Sequence, residues 1–530
     1  MKKRNKKEIL NLAFDGGIVL IGIFSFLLVL YYVVFIAKGY YHSDCTDTIM
    51  WAEASLDAKA LMNQDFAYAC LLPFGGQLLM LPFVAVFGVG MKAQILGMTL
   101  FYLIFVLALI YFARALDFSV RWIAVLLSSL LLLISSSEKL REIFWGHIIY
   151  YSLGILFLMI GAALVFRILR SDKINLRHTV ALFLWTLLCS MNGIQAITIY
   201  ALPVLAAVAA ERFFDFQTDW KDRSNISRYT VLSLLILGIL AGLLTGSMVN
   251  GNLTAGYAEA YSSFSKSSQW IGNLGELFPS FMSLLGVDIT DNTLLYSREG
   301  IFHLLRILCA LMLLTVPVVM ACMYRKFKST SYRLMIFIHH FMTLLILLGW
   351  VFGKLNSANW RLSPVVATSV ILCVMFVRWI FQNTGYKRLL ALIAVPVACV
   401  WLIVSYEILT MEKQTRTNER LNELAGYLEE NDLEYGYATF WYANIITMLS
   451  DSKVKVRCIS LEEDGYRKRL YQTNINWYED TGGYDRYFVI LTNQEMEEFY
   501  EQPRYDFEEA EEIMKCGTYN ILIYERNIIK

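Results

Sequence analysis

The chain has 530 residues, of which 57% are hydrophobic and 17% are charged, and its mean hydropathy is +0.50. Soluble domains carry about 45–50% apolar and about 25% charged residues, so this composition excludes a purely water-soluble protein. The net charge is +1 and no basic stripe with interleaved aromatic residues occurs, so no nucleic-acid partner is expected. The nine cysteines form no CxxC or Cys/His cluster, which argues against structural zinc and against a redox pair.

Runs of about 20 mostly apolar residues are long enough to cross a bilayer as helices. The first run follows a basic N-terminus, MKKRNKK, and lacks a small-residue cleavage pattern, so we expect a membrane helix there and no cleaved signal. The sequence predicts eleven such spans, at 14–36, 95–113, 120–136, 149–168, 179–194, 196–213, 229–249, 301–324, 332–352, 363–382 and 388–410.

The apolar segment 70–91 is ambiguous because Pro and Gly residues interrupt it, so it could span the membrane or lie on the surface. With this segment on the surface, the N-terminal tail and the loops on its side carry 22 lysines and arginines, and the opposite loops carry nine. A spanning segment would invert this bias. Because lysine and arginine concentrate in cytoplasmic loops, the sequence predicts a surface segment, a cytoplasmic N-terminus and an outer C-terminus.

Four regions are then predicted on the outer face, at 37–94, 137–148, 250–300 and 411–530. The last becomes strongly charged from Glu412 onward, with a helical stretch near 415–431. It also contains strand-like runs at 434–440, 453–459, 486–491 and 519–525. We therefore expect an α-helical polytopic membrane domain over 1–410, followed by a small extracytoplasmic α/β domain over 411–530.

The first outer loop carries two carboxylates, Asp44 and Asp47, shortly after the first span. Three residues apart, they would share one face of a helix. The stretch from Thr48 to Met62 is amphipathic, which suits a helix lying along the membrane interface. The two carboxylates are therefore either part of a solvated loop or part of a site roofed by surface helices.

The second outer loop, SSSEKLREIFWGHIIYY, is too short to leave the helix bundle. Its polar residues could be interfacial anchors or site residues, and Glu138 and Glu142 share a helical face. The residues in question are Glu138, Lys139, Arg141, Glu142 and His147.

Cations form a third set beside the later spans. Lys354 and Arg361 flank the outer end of the ninth span, and Arg298 precedes the eighth. Arg306 lies within the apolar stretch of the eighth span, where a charge is costly unless it faces a cavity or a partner or snorkels to the surface. Together these cations could bind an anionic group such as a lipid phosphate.

The ordered set of motifs resembles the GT-C class of membrane glycosyltransferases, which includes protein O-mannosyltransferases and the lipid A aminoarabinose transferase. The resemblance covers most of 1–410 by topology and a smaller part by motif, and the tail resembles the outer domain of many bacterial members. The class begins its first loop with Asp-Glu, an aromatic, Ala and Glu, and Thr48 replaces the second acid here. The matching segments are DTIMWAE at 47–53, LLPFGGQLLMLPFVAVFG, YFARALDFSVRW, and NWRLSP, in which Leu362 takes an aromatic position.

The resemblance implies transfer of a sugar from a polyprenyl-phosphate donor, at the outer face, with inversion at the anomeric carbon. Asp47 would be the base, with Asp44 as the competing candidate. The implied partners are the lipid-linked donor, membrane lipids, and an unknown glycan, lipid or protein acceptor. The residues implied in substrate or phosphate binding are Arg361, Lys354, Arg298, Glu138, Glu142 and His147.

A metal cofactor is left open by the resemblance. Oligosaccharyl transferases of the class use a divalent ion held by acids of the first two outer loops, whereas the aminoarabinose transferase type implies that a metal is not obligatory. For Mg or Mn the corresponding ligands would be Asp44, Asp47, Glu138 and Glu142.

Two other functions compete with glycosyl transfer. A transporter or flippase would use polar residues deep in the spans, for which Asn192, Gln195, His339 and His340 are the candidates, but the sequence has no two-half symmetry. A non-catalytic sensor that displays its outer domain would leave the residues of the first loop unexplained.

Overall fold

The computed structural model describes residues 6–171, 175–214, 223–255, 263–354, 358–383, 387–479 and 483–529. Within these ranges nine helices are long and apolar enough to cross a membrane. Two shorter helices of 14 and 15 residues occupy the remaining predicted spans. The chain is therefore a polytopic helical membrane protein, as its composition predicts.

Short turns of 3₁₀- and π-helix connect several of the helices, and a π-turn over 197–201 leads into the helix Leu202–Phe214. The helices are α1 (Lys6–Tyr31), α2 (Asp47–Ala58), α3 (Gln77–Phe87), α4 (Met91–Ala115), α5 (Val120–Leu133), α6 (Glu138–Trp145), α7 (Tyr150–Arg170), α8 (Leu176–Ser190), α9 (Leu202–Phe214), α10 (Arg223–Asn250), α11 (Trp270–Gly275), α12 (Leu277–Leu284), α13 (Arg298–Cys322), α14 (Thr330–Phe352), α15 (Ser363–Gln382), α16 (Lys387–Thr410), α17 (Arg416–Glu430) and α18 (Ala443–Leu449).

The first and the last membrane helix end on the same side of the bundle, which we call the tail face because residues 411–529 lie there. The backbone N–H of Thr415 donates to the carbonyl of Gly39 at 2.9 Å. A Cβ on Gly39 would lie 1.9 Å from the carbonyl oxygen of Lys413, so this position excludes any side chain. The end of α1 thus fits directly against the beginning of the C-terminal region.

The other side of the bundle, which we call the opposite face, collects the ends of α4, α7 and α15. Arg170 pairs with the Asp117 carboxylate at 2.5 Å, and Arg378 donates to the Asp117 carbonyl at 2.8 Å. The beginning of α5 lies there as well, because Arg121 pairs with Asp15 of α1 at 2.9 Å.

The two short helices, α5 and α8, each connect the opposite face with the tail face. Just beyond α5, the Ser136 carbonyl accepts from Arg306 at 3.1 Å near the tail face. Just beyond α8, Asn192 exchanges two hydrogen bonds, of 2.9 and 2.8 Å, with the backbone of Phe74. A 14-residue helix extends about 21 Å, so the irregular residues at its end complete each crossing. The nine long helices confirm the polytopic helical fold, and α5 and α8 occupy the two further spans that the sequence predicts.

The segment 70–91 stays on the tail face. Its helix α3 has 11 residues, about 17 Å of rise, which is too short for a hydrocarbon core of about 30 Å. Immediately after it, the Ser452 hydroxyl donates to the Val89 carbonyl at 2.8 Å, and the Asp451 carboxylate accepts from the Met91 N–H at 3.1 Å. The C-terminal region therefore also contacts the beginning of α4.

The C-terminal region is built on a six-stranded sheet in the order β4-β3-β2-β6-β8-β7, in which β3, β2 and β6 are parallel. The predicted helix and the four predicted strands coincide with α17, β2, β3, β6 and β8. A separate antiparallel pair, β1 with β5, joins the first loop to this region. The strands are β1 (Phe66–Ala67), β2 (Tyr435–Ala438), β3 (Lys455–Glu462), β4 (Gly465–Lys468), β5 (Thr473–Asn474), β6 (Tyr487–Thr492), β7 (Glu512–Cys516) and β8 (Tyr519–Tyr524).

The amphipathic stretch after Asp47 does not lie with one face in solvent, as the sequence predicts for an interfacial helix. It forms α2, and most of its residues are buried against α3 and the C-terminal region. The indole N–H of Trp51 donates to the Gln472 side chain at 2.7 Å, and the Glu53 carboxylate faces Arg457. Trp51 and Glu53 therefore face groups of the C-terminal region in place of water.

Because the charge bias predicts that the tail face is external, thiol labelling should distinguish its two sides. In a Cys322→Ser background, Glu501→Cys adds an exposed thiol in the C-terminal region, and Lys328→Cys adds one on the opposite face. We expect a membrane-impermeant maleimide to label the first in intact cells and the second only after permeabilisation. The reverse pattern would reverse the orientation.

Candidate active site

A cavity of about 1030 Å³ opens at the tail face. Its described wall combines the loops that follow α1 and α5 on the tail face, the beginnings of α7 and α15, the end of α14 and part of the C-terminal region. The charged and imidazole side chains on this wall are Asp44, Asp47, Lys139, Glu142, His147, Arg361 and Arg469. Five sequence-predicted site residues, drawn from three separate parts of the chain, therefore meet at one cavity.

Asp47 begins α2 and is the more buried of the two first-loop carboxylates, with 8% of the residue exposed. Its Oδ1 is buried and has no hydrogen-bond partner among the described residues. Burial raises the pKa of Asp47 well above its usual range, the Asp44 charge adds to this, and Gln472 and His42 act in the opposite direction. A carboxyl group in this state binds a proton more tightly than an exposed aspartate does.

Glu142 on α6 is surrounded by cations. Lys139 Nζ lies 2.5 Å and His42 Nε2 lies 3.5 Å from its Oε2. Burial alone would raise the pKa of Glu142, but His42, His147 and Lys139 lower it to about 2. Glu142 is therefore ionised and held in place, which differs from the state of Asp47 across the same cavity.

His147 is buried on the cavity wall, and neither ring nitrogen has a hydrogen-bond partner among the described residues. Burial lowers the pKa of His147, although Glu142 and Asp44 oppose this effect. In its neutral form the imidazole can offer one N–H and one lone pair to a bound molecule.

Arg361 supplies the positive side of the cavity from the turn that precedes α15. Among the described residues it forms no ion pair with a carboxylate, in contrast to Lys139, whose charge is engaged by Glu142. An arginine whose fork of donors is left free is suited to bidentate binding of a phosphate.

The other predicted anion-binding cations are not on the described wall of the cavity. Lys354 and Arg298 are exposed, and the Arg298 guanidinium lies over the Tyr406 ring. Arg306 is paired with Glu407 at 2.6 Å, so its buried charge is compensated within the protein. The sequence could place these residues near one face but could not distinguish free cations from paired ones.

The four-acid metal site is not assembled. Glu138 is exposed and lies off the described wall, and Glu142 is engaged by Lys139. In the described part of the chain, no group of three or more His, Cys, Asp or Glu side chains is placed to hold a metal ion. The donor set therefore does not fit the divalent ion that the resemblance left open, and no step is derived through one.

The C-terminal region contributes wall residues to which the sequence assigned no role, namely Phe440, Trp441, Arg469 and Tyr471. The aromatic run TFWY and the basic run RKR were the only signals, and neither indicates a site without knowledge of the fold. Gln94 of α4 was missed as well. Its buried amide donates to the Cys45 carbonyl at 2.9 Å and the Gly146 carbonyl at 3.2 Å, which holds the first two loops together.

Gln472 connects the C-terminal region to the first loop. Its Oε1 accepts from the Trp51 indole at 2.7 Å, and its backbone N–H donates to the Ala67 carbonyl at 2.7 Å. Its buried Nε2 makes no full hydrogen bond among the described residues and faces the Asp47 carboxyl, whose pKa it lowers. One amide thus fixes α2 and also orients the buried carboxyl group.

The polar residues on which a transporter would depend are mostly satisfied within the protein. His339 is bonded to Thr368 at 2.8 Å, and His340 to the Ile336 carbonyl at 2.7 Å. Asn192 is used by the backbone of the first loop, and of the four candidates only Gln195 is on the described cavity wall.

Gln472→Leu should destabilise the chain, because it leaves the buried Trp51 N–H without an acceptor at a cost of about 1–3 kcal/mol. We expect a lower midpoint of thermal unfolding in detergent, and no change for the exposed Gln494→Leu. In a double-mutant cycle, Trp51→Phe and Gln472→Leu should be less than additive. Full additivity would show that the two side chains do not interact.

Neither the comparison with family models nor the comparison with curated proteins finds a match. Among solved structures, ArnT from Cupriavidus metallidurans in the apo state is similar at 11% identity over 96% of this chain and 98% of that chain, with a TM-score of 0.53. Two structures of the Archaeoglobus fulgidus oligosaccharyltransferase are also similar, each at 10% identity over 91% of this chain. In the first, which is tethered to an acceptor peptide, the match covers 69% of that chain with a TM-score of 0.44. In the second, a complex with an inhibitory peptide and a dolichol-phosphate, it covers 70% with a TM-score of 0.43. The first comparison carries the assignment, since both later scores are below 0.5. The structural neighbours are GT-C glycosyltransferases, and the chain has the GT-C fold.

Proposed function

We propose that this protein is a membrane glycosyltransferase that moves a sugar from a polyprenyl-phosphate donor to an acceptor at the outer face of the membrane. The observation that carries the proposal is a single cavity that brings the buried carboxyl of Asp47 together with the unneutralised guanidinium of Arg361. Transfer of a sugar from a phosphate needs both a base and a cation for the leaving group. The GT-C fold also supports a function in glycosyl transfer.

The donor enters from the bilayer in this scheme. The cavity wall includes Leu345 and Ile346 of α14 and Ile199 of the turn before α9, which give an apolar path for a polyprenyl chain. Arg361 lies at the start of α15, where the phosphate of a lipid anchored in the membrane would emerge. Its guanidinium binds the phosphate and stabilises the charge that develops as the sugar leaves.

Asp47 accepts the proton of the acceptor hydroxyl. The hydroxyl oxygen attacks the anomeric carbon, the bond from that carbon to the phosphate oxygen breaks, and polyprenyl phosphate leaves with the electron pair. A single displacement of this kind inverts the anomeric configuration. His147, whose two ring nitrogens have no hydrogen-bond partner among the described residues, positions a sugar hydroxyl beside the reacting centre.

The C-terminal region and the aromatic residues of the wall restrict water. Phe440 and Tyr471, with ring centroids 5.0 Å apart, and Tyr150 and Tyr151, with ring centroids 4.3 Å apart, all line the cavity. A site from which water is restricted strengthens the charge interactions within it and limits hydrolysis of the donor.

Asp47→Asn should lower sugar transfer by about 10²–10⁴-fold, because the amide keeps the shape of the side chain but cannot accept the proton. The measurement is transfer of labelled sugar from a polyprenyl-phosphate sugar in membranes that contain each variant. Asp57→Asn, at an exposed position of the same helix, is the matched control and should retain activity.

Asp44→Asn separates the two first-loop carboxylates. If activity survived in Asp47→Asn but was lost in Asp44→Asn, Asp44 would be the base in place of Asp47. Full activity in both variants would contradict a carboxylate base in this loop and would favour the transport alternative.

The pH dependence gives an independent test. Because the pKa of Asp47 is raised, kcat/KM should fall on the acid side at a pH above the value of about 3.9 expected for an ordinary aspartate. The Asp44 charge contributes to this rise, so in Asp44→Asn the acid-side fall of kcat/KM should occur at a lower pH. If the acid-side fall of kcat/KM occurred at the same pH in Asp44→Asn and the wild type, another group would control it.

A further inference from the structure

The part of the cavity wall that comes from the C-terminal region has a chemistry of its own. It contributes one cation, Arg469, and three aromatic residues, Phe440, Trp441 and Tyr471, and no carboxylate among its described residues. Trp441 is 57% exposed, and its ring lies 6.4 Å from the His42 ring of the first loop. This wall therefore faces the catalytic side of the cavity with a positive charge and a broad apolar surface.

Arg469 is oriented without being neutralised. Its guanidinium lies 5.6 Å from the ring centroids of both Phe440 and Tyr471. Contact with ring faces holds a guanidinium in place while leaving its charge and its donors available. Among the described residues Arg469 forms no ion pair, whereas its neighbour Arg467 is paired with Asp464.

The described wall of the cavity thus carries two arginines, Arg361 and Arg469, that form no ion pair among the described residues. Only one of them is next to a membrane helix in the sequence. Arg361 immediately precedes the membrane helix α15, whereas Arg469 lies between β4 and β5 of the C-terminal region. A phosphate attached to a lipid chain that stays in the bilayer would be held at the first of these positions. Arg469 is then available to bind a group that arrives from the aqueous side.

We propose that Arg469 binds an anionic group of the acceptor, with Trp441 packing against an adjacent sugar ring, so that the acceptor is an anionic glycan. The apolar face of a sugar can lie on an exposed indole, and an arginine fork suits either a phosphate or a carboxylate. This inference depends on the proposed function, since it assigns the acceptor side of the same cavity.

Binding measurements on the full chain in detergent test this assignment with two probes, a fluorescent oligo(glycerol phosphate) and undecaprenyl phosphate. We expect Arg469→Gln to weaken binding of the first probe about tenfold or more, since it removes a charge-assisted hydrogen bond, and to leave binding of the second unchanged. Arg469→Lys should recover part of the loss. Arg467→Gln is the matched control and should bind both probes like the wild type.

Three outcomes would overturn the assignment. Equal binding of the anionic probe by wild type and Arg469→Gln, or no binding by the wild type, would remove the acceptor role and leave the proposed function intact. Weaker binding of undecaprenyl phosphate by Arg469→Gln would make Arg469 a donor residue. Failure of the wild type to bind undecaprenyl phosphate would instead contradict the proposed function.

Discussion

The buried hydrogen bond between Trp51 and Gln472 is the contact on which the site depends. It joins α2, which begins with Asp47, to the segment that carries Arg469 and Tyr471. A buried indole N–H without an acceptor is costly, so the first loop and the C-terminal region are expected to fold against each other. The cavity lies between them and exists only when both are in place.

The electrostatics of the cavity follow from how each charge is paired. Glu142 is compensated by Lys139 and His42, whereas Asp47 is buried with one oxygen unpartnered among the described residues. Burying a carboxyl group without full compensation is unfavourable, and in known proteins such strain concentrates at functional sites. The contrast between the two acids distinguishes a positioned anion from a candidate base, although both lie in loops on the tail face.

The positions of the membrane helices could be predicted from the sequence because apolar length is a strong, local signal. Asp44, Asp47, Glu142, His147 and Arg361 could be placed at one face for the same reason. The pairing of Arg306 with Glu407 could not, since the two residues are far apart in the chain and only packing brings them together. The burial of α2 was missed because its amphipathic pattern fits a lipid interface as well as a protein one.

The role of the C-terminal region was the least accessible to sequence reasoning. Arg469 stands in a charged run that is typical of a solvated surface, and Gln472 has no pattern around it at all. Their position depends on the register of β1 with β5, which sets two short strands from distant parts of the chain beside each other. Long-range pairing of this kind leaves no periodic signal in the sequence.

A structure of the chain with a non-hydrolysable polyprenyl-phosphonate sugar would test the central claim most directly. The account predicts that the phosphonate lies against the Arg361 guanidinium, that the lipid chain follows the apolar wall near Leu345, and that the anomeric carbon faces the Asp47 carboxyl across a gap open to an acceptor. A phosphonate bound elsewhere, or a sugar turned away from Asp47, would contradict it.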